Sequence, residues 1–303
     1  MAFYYEKQDL KVSTLGLEFK NPIGIAAGFD KDAKYIRELD ILGFGFIEVG
    51  TVTPLPQDGN PKPRLFRLKK DNALINRMGF NNGGIDNMVE RLQKCKRKDL
   101  IIGGNIGKNK MTPLEDAHND YLICFEKLNP YVDYFVINVS SPNTPGLRSL
   151  QDKEPLLKII NTLLDARRKK EVKRPILLKI APDLSSGQIK DIADIINSTE
   201  LDGLIATNTT IDRSNLMTDQ KHIQSIGNGG LSGQPIKDKS DEILKTIDSL
   251  VTRNITIIGV GGINNGSTAS SKLENGADLL QIYTGFVYEG PFLVKKIKKA
   301  LCK

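Results

Sequence analysis

Tryptophan is absent from the 303-residue chain, histidine occurs twice and cysteine three times, and aromatic residues make up only 6%. Cys95, Cys124 and Cys302 are odd in number, far apart and form no C-x-x-C pair. That excludes a disulfide framework or a zinc ribbon, and it fits a reducing, cytoplasmic setting. The few aromatics do not interleave with the basic residues, so no nucleic-acid partner is expected despite a net charge of +7. No run approaches the roughly 18 apolar residues of a membrane span. The amino terminus, MAFYYEKQDLKV, lacks the apolar core of a signal peptide. Glycine (27) and proline (14) are close to their average shares, which excludes collagen-like repeats and disorder.

What the chain does have is size and alternation. A single large core needs no staples at this length, and α/β barrels run to about 250 residues as one domain. The basic runs Lys94–Lys98, Arg167–Lys170 and Lys295–Lys299 fall near the ends of expected helices, where cations complement the helix dipole. Short Ile/Val/Leu-rich runs without strict alternation read as strands buried on both faces: Pro22–Ala27, Phe46–Gly50, Leu100–Asn105, Tyr134–Asn138, Ile176–Ile180, Gly203–Thr207, Thr256–Val260 and Leu279–Tyr283. Helical spacing separates them, at Lys34–Leu42, Pro113–Leu128, Glu154–Arg168, Ser186–Ser198, Asp241–Leu250, Ser267–Asn275 and Pro291–Leu301. Strand–helix alternation of this kind predicts a (β/α)₈ TIM barrel, one domain over residues 1–303, since no Pro/Gly/Ser-rich linker divides it. The long connection from Thr51 to Asp99 is expected to form a hairpin followed by a helix near Ile85–Lys94, on the catalytic face of the barrel.

Polar and glycine residues gather where strands end. They include Ala27-Gly28-Phe29-Asp30-Lys31, Asn105-Ile106-Gly107-Lys108, Asn138 through Gly146, Lys179, and Thr207-Asn208-Thr209-Thr210. In a barrel these positions converge on one pocket. Asn and Thr at one strand end would be mere caps or turns; recurrence at five ends points to a polar ligand. Gly259-Val260-Gly261-Gly262 and Tyr283-Thr284-Gly285 follow the seventh and eighth strands, where barrels bind phosphate through backbone N–H groups. No G-x-G-x-x-G opens a helix after the first strand, so a Rossmann site is excluded. A lysine in an apolar strand, as in ILLKIAPD, is a poor surface residue; Lys31 and Lys179 can pair with a carboxylate, form a Schiff base or stabilise a reduced cofactor. His118 and His222 sit in ordinary polar surroundings outside any nucleophile motif.

The segments NPIGIAAGFDKD, GFIEVGTVTP, GNPKPRLFRL, INRMGFNN, GGNIGKNK, INVSSPNTPGLRSLQ, LLKIAPD, ATNTT, GGLSG, IIGVGGI and QIYTGFVYEGP resemble dihydroorotate dehydrogenase of class 2, the quinone-dependent branch, from about Leu15 to Pro291. The resemblance implies an FMN-containing barrel that oxidises dihydroorotate to orotate in pyrimidine synthesis, with quinone as electron acceptor. It makes Ser141 the base that removes the C5 proton while the C6 hydride goes to the flavin; a cysteine there would imply class 1. Around the substrate it places Lys31, Asn76, Arg77, Met78, Gly79, Phe80, Asn138, Asn143, Asn208 and Thr209. Around FMN it places Ala27, Gly28, Phe29, Asp30, Lys31, Thr51, Asn105, Asn138, Lys179, Thr207, Gly233, Gly262, Tyr283 and Thr284.

The residue types suit those ligands. An amide side chain offers a donor and an acceptor together, matching the N–H and C=O groups of a cyclic urea-like ring. Lys31 supplies charge for a carboxylate, and Lys179 for negative charge on a reduced flavin. Serine is a weak base when unassisted, so its proton must leave through a neighbour such as Thr144 or a water. One feature departs from class 2: only about 14 residues precede the matching region, too few for the helical extension that docks on the membrane and admits quinone. A monomer is expected, in the cytoplasm or, in a longer form, peripheral on the cytoplasmic face of the membrane. Two rivals stand beside this reading, another FMN barrel such as a tRNA-dihydrouridine synthase and an aldolase-type barrel using Lys179.

Overall fold

The computed structural model describes residues 3, 5–95 and 99–302, so the basic run at 94–98 lies partly outside it. In chain order the strands are β1 (Val12–Thr14), β2 (Leu17–Phe19), β3 (Ile23–Ile25), β4 (Phe46–Val52), β5 (Leu65–Leu68), β6 (Ala73–Asn76), β7 (Ile101–Ile106), β8 (Tyr134–Asn138), β9 (Ile176–Ile180), β10 (Gly203–Ala206), β11 (Gly230–Gly233), β12 (Thr256–Val260) and β13 (Leu279–Ile282). The helices are α1 (Ile36–Ile41), α2 (Ile85–Lys94), α3 (Ala117–Leu128), α4 (Lys153–Arg168), α5 (Ser186–Ser198), α6 (Gln220–Ile226), α7 (Lys237–Leu250), α8 (Gly266–Glu274), α9 (Thr284–Glu289) and α10 (Leu293–Leu301).

Eight of the strands close a parallel barrel in the order β3-β4-β7-β8-β9-β10-β12-β13, with β13 returning to β3 through Leu280 opposite Ile23. The expected barrel and its eight strands are therefore present. Every residue of β4, β8, β9 and β12 is buried, which is why these segments carry no polar alternation. Two apolar layers result. One lies between strands and helices, built on residues such as Ile47, Phe125, Leu163 and Ile196. The other fills the barrel, where Phe19, Phe46, Tyr134, Leu177, Ile205 and Leu279 meet. Its narrow bore is matched small to large: a Cβ on Gly24 would come within 2.3 Å of the Phe46 ring, and one on Gly103 within 2.1 Å of Tyr134. The antiparallel hairpin β1–β2 closes the amino-terminal end by setting Phe19 edge-on to Phe46 at 5.3 Å.

The excursion after β4 holds the hairpin β5–β6 and the helix α2 with the bounds read from the sequence. Its hairpin gains a third, antiparallel strand, β11, from the loop after β10, and the sheet order is β11-β6-β5. The sequence GLSG gave no strand signal there, because its pairing comes from β6, with Leu231 also bridged to Thr210, residues distant in sequence. Helix starts moved by a few residues. The Asp30 carboxylate accepts from Lys34 N–H and Tyr35 N–H, both at 2.8 Å, so the chain turns before α1 begins at Ile36. Among the described residues no helix is long and apolar enough to cross a membrane.

Candidate active site

The carboxyl ends of the barrel strands, the excursion sheet and the loop after β8 enclose a cavity of about 990 Å³ including its mouth. The strands deliver its polar side chains from positions at or within a few residues of their carboxyl ends. Asn138 ends β8, Lys179 lies one residue from the end of β9, and Thr207 to Thr209 follow β10. The hairpin of the excursion brings Asn76 at the end of β6, then Met78, Gly79 and Phe80, over the same opening.

These polar groups hold one another. Asn138 donates to Thr51 Oγ1 at 2.8 Å and to Asn105 Oδ1 at 3.2 Å. Asn143 donates to Asn76 Oδ1 at 2.8 Å, tying the Ser141 loop to the excursion. Asn208 donates to Ser140 Oγ at 2.9 Å and accepts from Thr209 N–H at 2.8 Å. Amide orientation is thus set before any ligand arrives. Ser141 is 6% exposed, and among the described residues its Oγ accepts one hydrogen bond, from Asn143 N–H at 3.3 Å. Three residues on, Thr144 Oγ1 is buried without a hydrogen-bond partner. Arg148 braces this loop from behind, donating to Ser140 O at 3.1 Å, Asp183 Oδ2 at 2.9 Å and Thr209 O at 2.8 Å.

Two lysines line the cavity. Lys31 has no hydrogen-bonded or ion-paired partner among the described residues. Burial pulls its pKa down to about 8, with Arg64 adding repulsion and Asp32 opposing. Lys179 is also pulled below the ordinary lysine value by burial, against the attraction of Glu48 3.8 Å away. On the opposite side the wall is backbone. Gly233 has φ +104 and Gly262 φ +72, and a Cβ on either would strike Asn72 O at 2.3 Å or Lys237 Cβ at 2.4 Å. Ser232 Oγ and Thr284 Oγ1 lie 2.8 Å apart beside them. Exposed N–H groups and hydroxyls of this kind suit a phosphate.

Of the residues named from sequence, the cavity brings together Ser141, Lys31, Asn76, Met78, Gly79, Phe80, Asn138, Asn143, Asn208 and Thr209. It also gathers Ala27, Gly28, Thr51, Lys179, Thr207, Gly233, Gly262, Tyr283 and Thr284. Four named residues do not line it. Phe29 stacks edge-on to Tyr283 and Phe286, Asp30 is spent capping the turn into α1, and Asn105 stands behind Thr51 and Asn138. Arg77 donates to Pro63 O and Ile226 O and borders a separate open groove. The sequence reading missed Ser232 and Gln281, which do line the cavity, as does Gly285 of the expected phosphate loop. Gln281 lies inside the quoted segment QIYTGFVYEGP, and a lone glutamine between Leu280 and Ile282 of a buried strand was the available signal.

Fold and cavity are those of a (β/α)₈-barrel enzyme with its reaction site at the carboxyl ends of the strands. A family model described as dihydroorotate dehydrogenase matches residues 9–303. A protein of Christiangramia forsetii named dihydroorotate dehydrogenase (quinone) is 54% identical over 299 residues, covering 99% of this chain and 86% of its own length. One of the same name from Shewanella frigidimarina is 50% identical, covering 99% and 89%. The crystal structure of DHODH from Eimeria tenella in complex with ferulenol superposes with a TM-score of 0.92 at 39% identity, over 98% of this chain and 84% of that one. The chain belongs to the dihydroorotate dehydrogenase family.

Proposed function

We propose that this cavity oxidises dihydroorotate to orotate, a step of pyrimidine biosynthesis, with FMN as the bound cofactor and quinone as the acceptor that reoxidises it. One observation carries the reading. Three amides, Asn76, Asn143 and Asn208, converge with Ser141 and an unpaired Lys31 on a cavity whose far wall is glycine backbone. That set matches a ring of alternating N–H and C=O groups bearing a carboxylate. The relatives named dihydroorotate dehydrogenase (quinone) favour this substrate over the tRNA of the alternative reading.

The residues fit FMN. Gly233, Gly262 and Thr284 would hold its phosphate: both glycines line the cavity at positive φ, with no room for a Cβ against Asn72 and Lys237 behind them, so they present bare backbone beside the Thr284 hydroxyl. Asn138, Lys179 and Thr207 would hold its ring system, and Gln281 Oε1 is a buried acceptor still without a donor. When bound, FMN supplies the acceptor for the hydride that leaves substrate C6.

The chain does the rest. Lys31 binds the carboxylate, and the amides fix the ring so that C5 faces Ser141. Ser141 Oγ takes the C5 proton; Asn143 N–H orients the hydroxyl. No carboxylate or imidazole is bonded to Ser141 among the described residues, so its own proton must pass to water or to another hydroxyl; the buried Thr144 Oγ1, three residues on, makes no hydrogen bond in the structure and could be reached only through a water. A monomer that touches a membrane at most weakly and peripherally completes the proposal. Heat-denatured protein should release FMN, and anaerobic dihydroorotate should bleach the flavin absorbance of the intact protein. A reconstituted protein without flavin absorbance, or flavin untouched by dihydroorotate, would refute it.

A further inference from the structure

One carboxylate inside the barrel has no task in this scheme. Glu48, on β4, is 0% exposed and does not line the cavity. Its Oε1 accepts from Asn105 Nδ2 at 2.8 Å and lies 3.8 Å from Lys179 Nζ. Its Oε2 accepts from Gln281 Nε2 at 2.5 Å and from the Tyr134 hydroxyl at 3.4 Å. Strands β7, β8, β9 and β13 therefore each send a polar side chain to one acid on β4. Elsewhere the bore is filled by Phe, Val, Leu and Ile. A buried ion pair is rarely more stabilising than apolar packing of equal volume, so stability does not explain the cluster.

Its arrangement does. Lys179 and Gln281 both touch Glu48 and both line the cavity, while Asn105 carries the network on to Thr51 and Asn138, which line it too. Gln281 has committed its Nε2 to Glu48, so its buried Oε1 is left as an acceptor for a ligand N–H. We propose that Glu48 is a positioning residue for the cofactor: its charge keeps Lys179 an ammonium facing the cavity and fixes which end of the Gln281 amide a ligand meets. The inference rests on FMN occupying the cavity.

Burial alone drives Lys179 towards its neutral form, and Glu48 is the charge that opposes this. Tyr134, the other titratable group in the cluster, is held neutral by burial and by Glu48. Without the carboxylate, burial acts on Lys179 unopposed, so its ammonium form weakens and with it the charge on Lys179 that would stabilise the negative charge reduction places on the flavin.

The test is spectroelectrochemical titration of FMN-loaded parent and Glu48→Gln. The variant should keep its flavin but lose at least tenfold in the equilibrium favouring reduction, about 30 mV for a two-electron couple. A merely structural role would lower FMN occupancy and thermal stability without moving the potential of the flavin that stays bound. An unchanged or raised potential overturns the proposal. If Glu48→Gln does not fold, Lys179→Met and the Lys179→Met/Glu48→Gln pair, which replaces both charges, decide. Equal potentials in those two show that Glu48 acts through Lys179; a clearly higher potential in the double variant overturns it. A parent without flavin sinks the proposed function, whereas a flavin-loaded parent and variant with one potential sink only this inference.

Discussion

Lys31 makes ligand affinity a function of pH, and the structure gives the midpoint. Its ammonium is desolvated, faces the Arg64 charge and has no acceptor among the described residues, so it releases its proton at about pH 8. A lysine with a lowered pKa is charged below that value and neutral above it. An anionic ligand selects the charged form, so the dissociation constant should scale as one plus the ratio of neutral to charged Lys31. At pH 7 about nine molecules in ten are charged, and at pH 9 about one in ten. Orotate affinity should therefore fall about tenfold between pH 7 and pH 9, roughly 1.4 kcal/mol. Titrating the flavin spectrum of the loaded protein with orotate measures it directly. Lys31→Met should bind weakly at pH 7 and show no such slope. A parent flat over this range, or a Lys31→Met variant with the same slope, would show that Lys31 does not bind the carboxylate.

Three further outcomes follow from the same geometry. Ser141→Ala should leave FMN bound and slow flavin reduction by dihydroorotate by roughly 10²–10⁴-fold in single-turnover mixing; an unchanged rate would place the base elsewhere. Asn76→Ala, Asn143→Ala and Asn208→Ala should each weaken orotate by about 1–3 kcal/mol, since each strands a polar partner, and three parent-like titrations would mean the ring lies elsewhere. Arg148→Ala frees the backbone of Ser140 and Thr209 and removes a partner of Asp183, so the reduction rate should drop about tenfold or more while FMN affinity holds, a loss that Arg148→Lys restores only in part. Equal losses of FMN affinity and rate would contradict that placement.

Much of this was legible in the sequence, for identifiable reasons. Strands buried on both faces announce themselves as apolar runs, and β7, β8, β9, β10, β12 and β13 fell where those runs are, within a residue or so at each end. Strand-end polar residues such as Asn138 and Thr207 could be placed because a barrel sends them all to one face. What escaped was set by partners distant in sequence. β11 is a strand because β6 lies beside it, and the Asp30 carboxylate in GFDKD is engaged by the Lys34 and Tyr35 N–H groups, a use no sequence spacing reveals. Glu48 and Gln281 are 233 positions apart and meet only when the barrel closes. One-dimensional spacing carries no trace of that pair.

Charge shows the same division between what a sum reveals and what a place reveals. A net +7 favours anionic partners in general, yet much of that basic surface is answered locally. Arg167 pairs with Asp202 and Glu200, Lys170 with Glu126, and Lys127 with Asp86. The lysine pairs are exposed or half-exposed and screened by salt, and the buried Arg167 spends its charge on the barrel's own acids, so none of them selects a partner. Inside the cavity the balance differs. Lys31 and Lys179 line it, among the described residues no carboxylate side chain does, and the acid beside Lys179, Glu48, is fully buried outside the lining. Two lysines in a low-dielectric pocket, with glycine N–H groups opposite, favour anions at three points: a substrate carboxylate, a cofactor phosphate and a ring that gains negative charge when reduced. Raising salt should therefore change how this protein meets surfaces far more than how tightly the cavity holds orotate.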